Sequence, residues 1–529
     1  MKNPLESPIL NSQFSIPFPM LLLTDELLLN YKRCRRRTFL EVYGSYQDRE
    51  PTKEFLLKLK RENKHHVDTV LQERALVYQQ PEASKKDWLL RSQQTLELMR
   101  QGVECVYRGR LQITLADWQT SLENSEVEVP NIIDTSFTPE DVILLADPTL
   151  LIKQPGKSIF GNWTYLPVNI KLGRRPKPEY KLISAYHSQI IGAITGELSD
   201  TSTLILRNQK DYQINLEYWL PRMYQIVNDC IEMLVYKQTP EVFISRQRCS
   251  LCHWHRFCHD HAKSEKHLSL VPGITPKRYE SLLAMGLDSL EAIAAANQNQ
   301  MSEKIGREIS IQLQQQVRSL LLETPLLKTS YNLQNNHQLP SHAIEFYFDI
   351  EAEPDRNLDY LLGILAVDRV NNTEEFYAFL AKDVDQEEKI WREFLEFVLA
   401  YPDAPIFHFS DYELDTIKRL SGLYNTPHRE TKALLDRCVD IHYWVTKSVI
   451  LPVESYSLKS LANWLGFKWR EAKAGGDQCV CWYDDWLRSQ DSSLLDAILS
   501  YNEDDCYATY YLKYWLENFL EESQNYQVL

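Results

Sequence analysis

Apolar positions recur at three-to-four spacing in DWLLRSQQTLELMRQG (87–102), a pattern that predicts an amphipathic helix. The dense apolar runs VILLADPTLLIK (142–153) and YLPVNIKL (165–172) predict strands, and KLISAYHSQIIGAITG (181–196) predicts a helix. A short helical unit follows at about 265–325, and the polar stretch LKTSYNLQNNHQLPS (327–341) reads as a linker. Beyond it come three strand-like runs in quick succession: IEFYFDIEA, YLLGILAVDRV and EEFYAFLA. A helix (387–401), the strand PIFHFS and the helix YELDTIKRLSGLY complete the pattern, which is that of a mixed α/β domain. The chain is therefore expected to be a multidomain α/β protein with parts at 1–262, 263–335 and 340–529.

Composition narrows this picture. Hydrophobic residues make up 44 % of the chain, enough for ordinary cores, and no apolar run reaches the ~18 residues of a membrane span. The first twenty residues lack the layout of a secretory signal, so a cytoplasmic protein with no membrane partner is expected. The net charge is −15, but local patches decide contacts with nucleic acid. Two basic clusters stand out, Lys32/Arg33/Arg35/Arg36/Arg37 and Lys171/Arg174/Arg175/Lys177/Lys181. No G-x4-G-K-[ST] occurs, which excludes a P-loop motor.

The chemistry concentrates in acids and cysteines. In YFDIEAE, Asp349 and Glu351 alternate within an apolar strand and so share one face. Like charges on such a face are costly unless a cation joins them. Two metal ions about 4 Å apart are what phosphodiester hydrolysis uses, and Mg²⁺ or Mn²⁺ asks for clustered oxygen ligands. Glu413 opens a helix after PIFHFS, and Asp505 follows Tyr501 by one turn in LSYNEDDCYATYYL. Asp411 or Asp415 could stand in for Glu413, and Asp440 is a further acid near these runs.

This order of motifs resembles the ribonuclease-H-like DEDD exonucleases whose last motif reads Y-x3-D, and most of all the YprB-type branch, over roughly 340–520. SYSLKSLANWLGFKW (455–469) is also similar to that branch. The resemblance implies that Asp349, Glu351 and Asp505 bind metal. It gives Glu413 the second ion or its water, and has Tyr501 orient or help deprotonate the attacking water.

Ten cysteines in a cytosolic chain are not expected to form disulfides. QRCSLCHWHRFCHDH holds Cys249, Cys252 and Cys258 as C-x2-C-x5-C. His253, His255, His259 or His261 could complete a zinc site, or a distant cysteine could complete a [4Fe–4S] cluster. One cysteine near the start, Cys34, followed by this cluster is similar to iron–sulfur RecB/AddB-type nucleases, which implies that Cys34, Cys249, Cys252 and Cys258 hold [4Fe–4S] as a staple. The same resemblance places His66, Asp147 and Lys171 in a RecB-type PD-(D/E)xK site, with His66 and Asp147 on metal. The second acid of that pattern is replaced by Asn169, an amide that brings no charge to a hard dication. LVPGITPKRYESLLAMGLDSL (270–290) resembles a helix–hairpin–helix element, implying phosphate contacts at Gly273, Lys277 and Arg278.

The order of parts is similar, over nearly the whole chain, to RecB-like nucleases fused to a YprB-like exonuclease domain. That likeness implies a restriction-endonuclease-like α/β core with an iron–sulfur staple, a helical connector and a ribonuclease-H-like α/β domain. It implies a Mg²⁺- or Mn²⁺-dependent 3′→5′ exonuclease on DNA, with the N-terminal unit weakly active or gripping substrate. The competing expectations are an accessory nucleic-acid-binding protein for a helicase or nuclease partner, and an exoribonuclease.

Overall fold

The computed structural model describes residues 20–122, 137–332, 339–471 and 474–528. The start of the chain, on which the expectation about a signal rests, and positions 333–338 of the predicted linker lie outside the described residues. Among the described residues no helix is long and apolar enough to cross a membrane. The chain divides into two compact units. The first is Leu57–Val242 with the segments up to Thr52 and Arg246–Phe257, and the second is chiefly Cys258–Leu529.

Among the described residues eight strands build two sheets in the first unit: β1 (Leu21–Leu23), β2 (Cys105–Tyr107), β3 (Leu111–Thr114), β4 (Val142–Ala146), β5 (Leu150–Ser158), β6 (Gly161–Ile170), β7 (Thr201–Ile205) and β8 (Asp211–Asn215). The sheet orders are β1-β4-β3 and β2-β5-β6-β7-β8. The run 142–153, expected as one strand, is two strands in different sheets. The break falls at Asp147-Pro148, where proline removes a ladder donor and turns the chain. The helix Pro178–Thr195 opens on a proline at its first position and ends at Gly196, whose φ of +79° is the left-handed conformation a helix terminus favours. It is buried along most of its length, between residues of β3, β6 and β7.

In the second unit a helical element runs from Pro276–Leu283 to Arg307–Leu322 around its own apolar core of Leu268, Ile274, Leu282, Ile293, Met301 and Val317. A two-residue strand β9 (Leu326–Leu327) pairs with β15 (Val449–Ile450). The main sheet contains β10 (Ile344–Glu353), β11 (Leu358–Asp368), β12 (Thr373–Leu380), β13 (Ile406–His408) and β14 (Cys438–Asp440), in the order β12-β11-β10-β13-β14. The first three strands meander antiparallel, and β13 and β14 add parallel to β10. Period-two alternation divides β10 between two cores: Phe346, Phe348 and Ile350 join one, Tyr347 the other. Asp349 and Glu351 share the Tyr347 face, against which the long helix Ser492–Val528 packs.

Candidate active site

On that face of β10 three acids lie in a row with different surroundings. Glu345 is 1 % exposed and is met by Lys513 Nζ at 3.3 Å and Arg369 Nη1 at 3.0 Å. Burial raises its pKa, yet Lys513, the Tyr347 hydroxyl and Arg369 outweigh this and hold it below the usual carboxylate value. Two and three turns back along the same helix stand Asp505 and Tyr501. Asp349, Glu351 and Asp505 each offer a carboxylate oxygen within 4.8 Å of the others, and among the described residues this is the one set of three metal-capable donors so placed. Burial drives the pKa of Asp349 well up, with Asp505, Glu351 and Glu413 adding repulsion. Glu351 is raised in the same way, by burial and then Asp505. Burial pushes Asp505 up to about 7, against the Trp469 hydrogen bond, Lys459 and the Tyr501 hydroxyl. One strand thus neutralises its acid at 345 with the buried Lys513 and the exposed Arg369 and leaves those at 349 and 351 without a cation of their own.

Glu413 reaches this region from a strained turn. Ser410, between β13 and the helix Tyr412–Leu423, has φ +91°. Two contacts fix it: its N–H donates to Asp440 Oδ1 at 3.0 Å, and its carbonyl accepts from His408 Nδ1 at 2.7 Å. Glu413 is 4 % exposed, whereas Asp411 and Asp415 face solvent. Its Oε2 lies 3.5 Å from His408 Nδ1 but makes no aligned hydrogen bond, since that nitrogen is directed at Ser410. Burial raises the pKa of Glu413, with His408 opposing and Asp440 adding to the rise. A buried carboxylate oxygen so weakly met is costly. Glu413 lies outside the 4.8 Å set but close enough to act on Asp349.

Several residues that complete the arrangement escaped sequence reasoning. Asn502 Nδ2 donates to Asp349 Oδ2 at 2.7 Å, and Trp469 Nε1 to Asp505 Oδ1 at 2.8 Å. The Cys479 thiol hydrogen-bonds Glu351. Gly363 faces Asp349 across the β10–β11 register, and a side chain there would run into the Asn502 amide. Asn502 and Trp469 lie inside or beside quoted motifs, yet nothing in their spacing announces a contact with an acid. Gly363 carries no sequence signal, and the C-x-C pair of Cys479 and Cys481 does not announce a contact with Glu351.

The expected site in the first unit is not assembled as a metal centre. Neither His66 nor Asp147 belongs to a set of three donors within 4.8 Å among the described residues. Arg110 grips Asp147 through both oxygens, its Nε at 2.6 Å from Oδ1. Asn169 Nδ2 bonds Ser184 Oγ at 3.0 Å and His187 Nδ1 at 3.2 Å, while His187 Nε2 meets Asp25 at 2.7 Å. Both acids of this region therefore already have nitrogen partners. Lys171 lies near Asp25, and burial lowers its pKa. His66 is buried beside Arg207, and burial followed by that cation lowers its pKa.

Cys34 is the extended residue between the helices Asp25–Arg33 and Arg35–Tyr43, Cys249 ends the short helix Arg246–Cys249, and the Cys252 N–H donates to the Cys249 carbonyl at 3.0 Å. Burial raises the Cys252 pKa; Arg37 opposes this and Cys34 and Cys249 add to it, so the distant Cys34 shares one neighbourhood with the Cys249/Cys252 pair. They are not gathered within 4.8 Å, whereas a zinc tetrahedron with ~2.3 Å bonds would bring sulfurs to about 4 Å. Cys258 lies on the helix His255–Ser264. Of the imidazoles, His259 Nε2 is 2.6 Å from Glu454 and His261 Nε2 3.5 Å from Glu265. In the predicted hairpin Gly273 has φ +90°, Arg278 Nη1 folds back on its carbonyl at 2.6 Å, and Lys277 is exposed.

A search of curated proteins returns no match. Residues 346–517 match the family model described as RNase_H superfamily, a stretch that contains the acidic set, Glu413 and Tyr501. The chain is a multidomain α/β protein with an RNase H-like domain in its C-terminal part.

Proposed function

We propose that the RNase H-like domain is a metal-dependent 3′→5′ exonuclease acting on DNA, with its site at Asp349, Glu351, Glu413 and Asp505. The observation that carries this reading is the contrast along β10: Glu345 is buried with its own cations, while Asp349 and Glu351 are crowded with Asp505 and lack one. The polarity and the choice of DNA rest on the likeness to Y-x3-D DEDD exonucleases. Asp349, Glu351 and Asp505 would hold Mg²⁺ or Mn²⁺, with Glu413 serving a second ion. Such ions would supply the positive charge that stabilises the attacking and leaving oxygens of an in-line displacement.

The chain's own groups do the rest. Asn502 and Trp469 fix the carboxylates of Asp349 and Asp505 by donating one hydrogen bond to each. Tyr501, 7 % exposed, has its pKa pushed up by burial and then by Asp505, so its phenol stays protonated. In this reading its hydroxyl orients or helps deprotonate an attacking water.

The test is degradation of end-labelled single-stranded DNA and RNA in Mn²⁺. Asp349→Ala with Glu351→Ala should abolish cutting, and Tyr501→Phe should lower kcat by about 10²-fold with KM little changed. Equal activity of the double variant and the wild type would remove the assignment, and faster cutting of RNA would overturn the choice of substrate.

Within the first unit, Asn169 and the Arg110 clamp on Asp147 favour holding over cutting. For the thiols we propose [4Fe–4S] on Cys34, Cys249, Cys252 and Cys258, supported by the likeness to iron–sulfur nucleases and by the shared neighbourhood of three of them. Anaerobically purified protein should be brown, and Cys252→Ser should lose the visible absorbance. A colourless wild type with stoichiometric zinc would refute the cluster.

A further inference from the structure

A cavity of about 250 Å³ opens in the first unit beside the turn after β4. Its lining includes Lys60, Lys64, Lys85, Arg91 and Arg108, and its one acid is Asp147. None of the five cations makes an ion pair among the described residues, and Asp147 is already committed to Arg110. Such a collection is anomalous in a chain whose net charge is −15. Lys60 and Lys64 stand one turn apart on the helix Glu54–Glu73, where like charges repel. Arg91 is 6 % exposed, so its charge is largely removed from water. The Arg91 guanidinium is met by carbonyls alone, those of Pro81, Ala83 and Arg108, the last at 2.7 Å. Buried cations normally meet a carboxylate or another anion. Here the position is also held by strain, since Arg108 takes a left-handed φ of +52° while its carbonyl receives Arg91.

We propose that this cavity is a metal-independent receptor for phosphate groups, and that its occupant is a phosphodiester of a single nucleic-acid strand. Arg91 and Arg108 provide fixed guanidinium donors at the wall, and Lys60, Lys64 and Lys85 supply mobile charge at the mouth. The clamp of Arg110 on Asp147 removes the one negative charge that would repel the ligand, the role a dication would otherwise have at that acid. The proposal rests on the reading of the first unit as a holding unit and is independent of hydrolysis at Asp349.

The test uses the full chain in EDTA, where no metal-dependent cutting takes place. Anisotropy of a fluorescein-labelled 12-nucleotide single strand is followed across a KCl series, with inorganic phosphate measured separately by calorimetry. Lys60→Gln with Lys64→Gln alters exposed side chains only. It should weaken strand binding about tenfold and lower the salt slope by about 1.4, the loss of two backbone contacts. Lys389→Gln with Lys432→Gln, an equal change of charge elsewhere, should leave binding intact; an equal loss there overturns the site. If the Lys60/Lys64 variant loses inorganic phosphate but keeps the strand, the receptor stands and the strand is overturned as its occupant. If neither ligand is weakened, the receptor itself is refuted. Cutting in Mn²⁺ is read in parallel, so failure of the nuclease assignment is seen separately.

Discussion

Asp349→Asn is expected to abolish hydrolysis, by at least about 10³-fold, and at the same time to make the chelated protein more stable. The loss follows from removing one preorganised charged group at the reacting centre. The gain follows from the acids around it. Asp349, Glu351 and Asp505 all have pKa values raised by burial and mutual repulsion, Asp505 to about 7. An acid that titrates higher in the fold than in the unfolded chain, where Asp lies near 3.9, binds its proton more tightly when folded. Its stabilising contribution is complete below about pH 4 and is lost as pH rises through the folded value. Without metal, the wild type should therefore lose stability as pH rises above about 4, Asp505 contributing its loss up to about 7. The amide has no such charge to carry. The difference in Tm between variant and wild type in EDTA should be near zero at pH 4 and grow to several degrees by pH 8, at about 2–4 °C per kcal/mol for a domain of this size. Scanning fluorimetry with a parallel oligonucleotide assay reads both signs. A variant that is less stable than wild type at pH 8 in EDTA would mean that the acids are compensated by something other than a cation from solution.

Gly363→Ala carries the second large effect. Gly363 is a residue of an inner strand, where a missing side chain ordinarily weakens packing. Here the space is occupied by Asn502. A Cβ would collide with Asn502 Oδ1 and stand 2.8 Å from its Cγ, on the side of β11 that faces Asp349. Asn502 is fully buried, so its amide has no room to retreat. Overpacking of this kind costs about 1–3 kcal/mol. Displacing the amide also frees Asp349 Oδ2, and loss of a contact that orients a ligand typically lowers activity by about 10–100-fold. The diagnostic is a double-mutant cycle read by urea denaturation. In an Asn502→Ala background the alanine at 363 meets no amide, so most of its cost should vanish. A cost that stays undiminished there would place the defect in the β10–β11 ladder instead.

These two residues show where sequence reasoning reached its limit. Asp349 and Glu351 were legible because alternation in an apolar strand puts two acids on one buried face, and that demands a cation. Tyr501 and Asp505 were legible because a four-residue spacing on a helix is a spatial statement. The meander of β10, β11 and β12 was legible from three apolar runs separated by turns. Gly363 was not, because its role depends on which residue of a remote helix crosses above it. Nor was the break between β4 and β5: the apolar run passes through Asp147-Pro148 without a change of period, and only the sheet assignments separate its halves. At Asp147 the sequence placed the acid inside one continuous strand, whereas it stands in the turn after β4. The motif match was silent about Arg110, thirty-seven positions away, which occupies both carboxylate oxygens.

That guanidinium has a consequence for how the protein meets a changing ionic environment. In the N-terminal unit the countercharge is part of the polypeptide and cannot be chelated, diluted or exchanged. In the RNase H-like domain the proposed countercharge is a cation recruited from solution. If the two proposals hold, depletion of divalent ions should silence cutting while strand binding continues, leaving a population of protein able to dock and unable to cut.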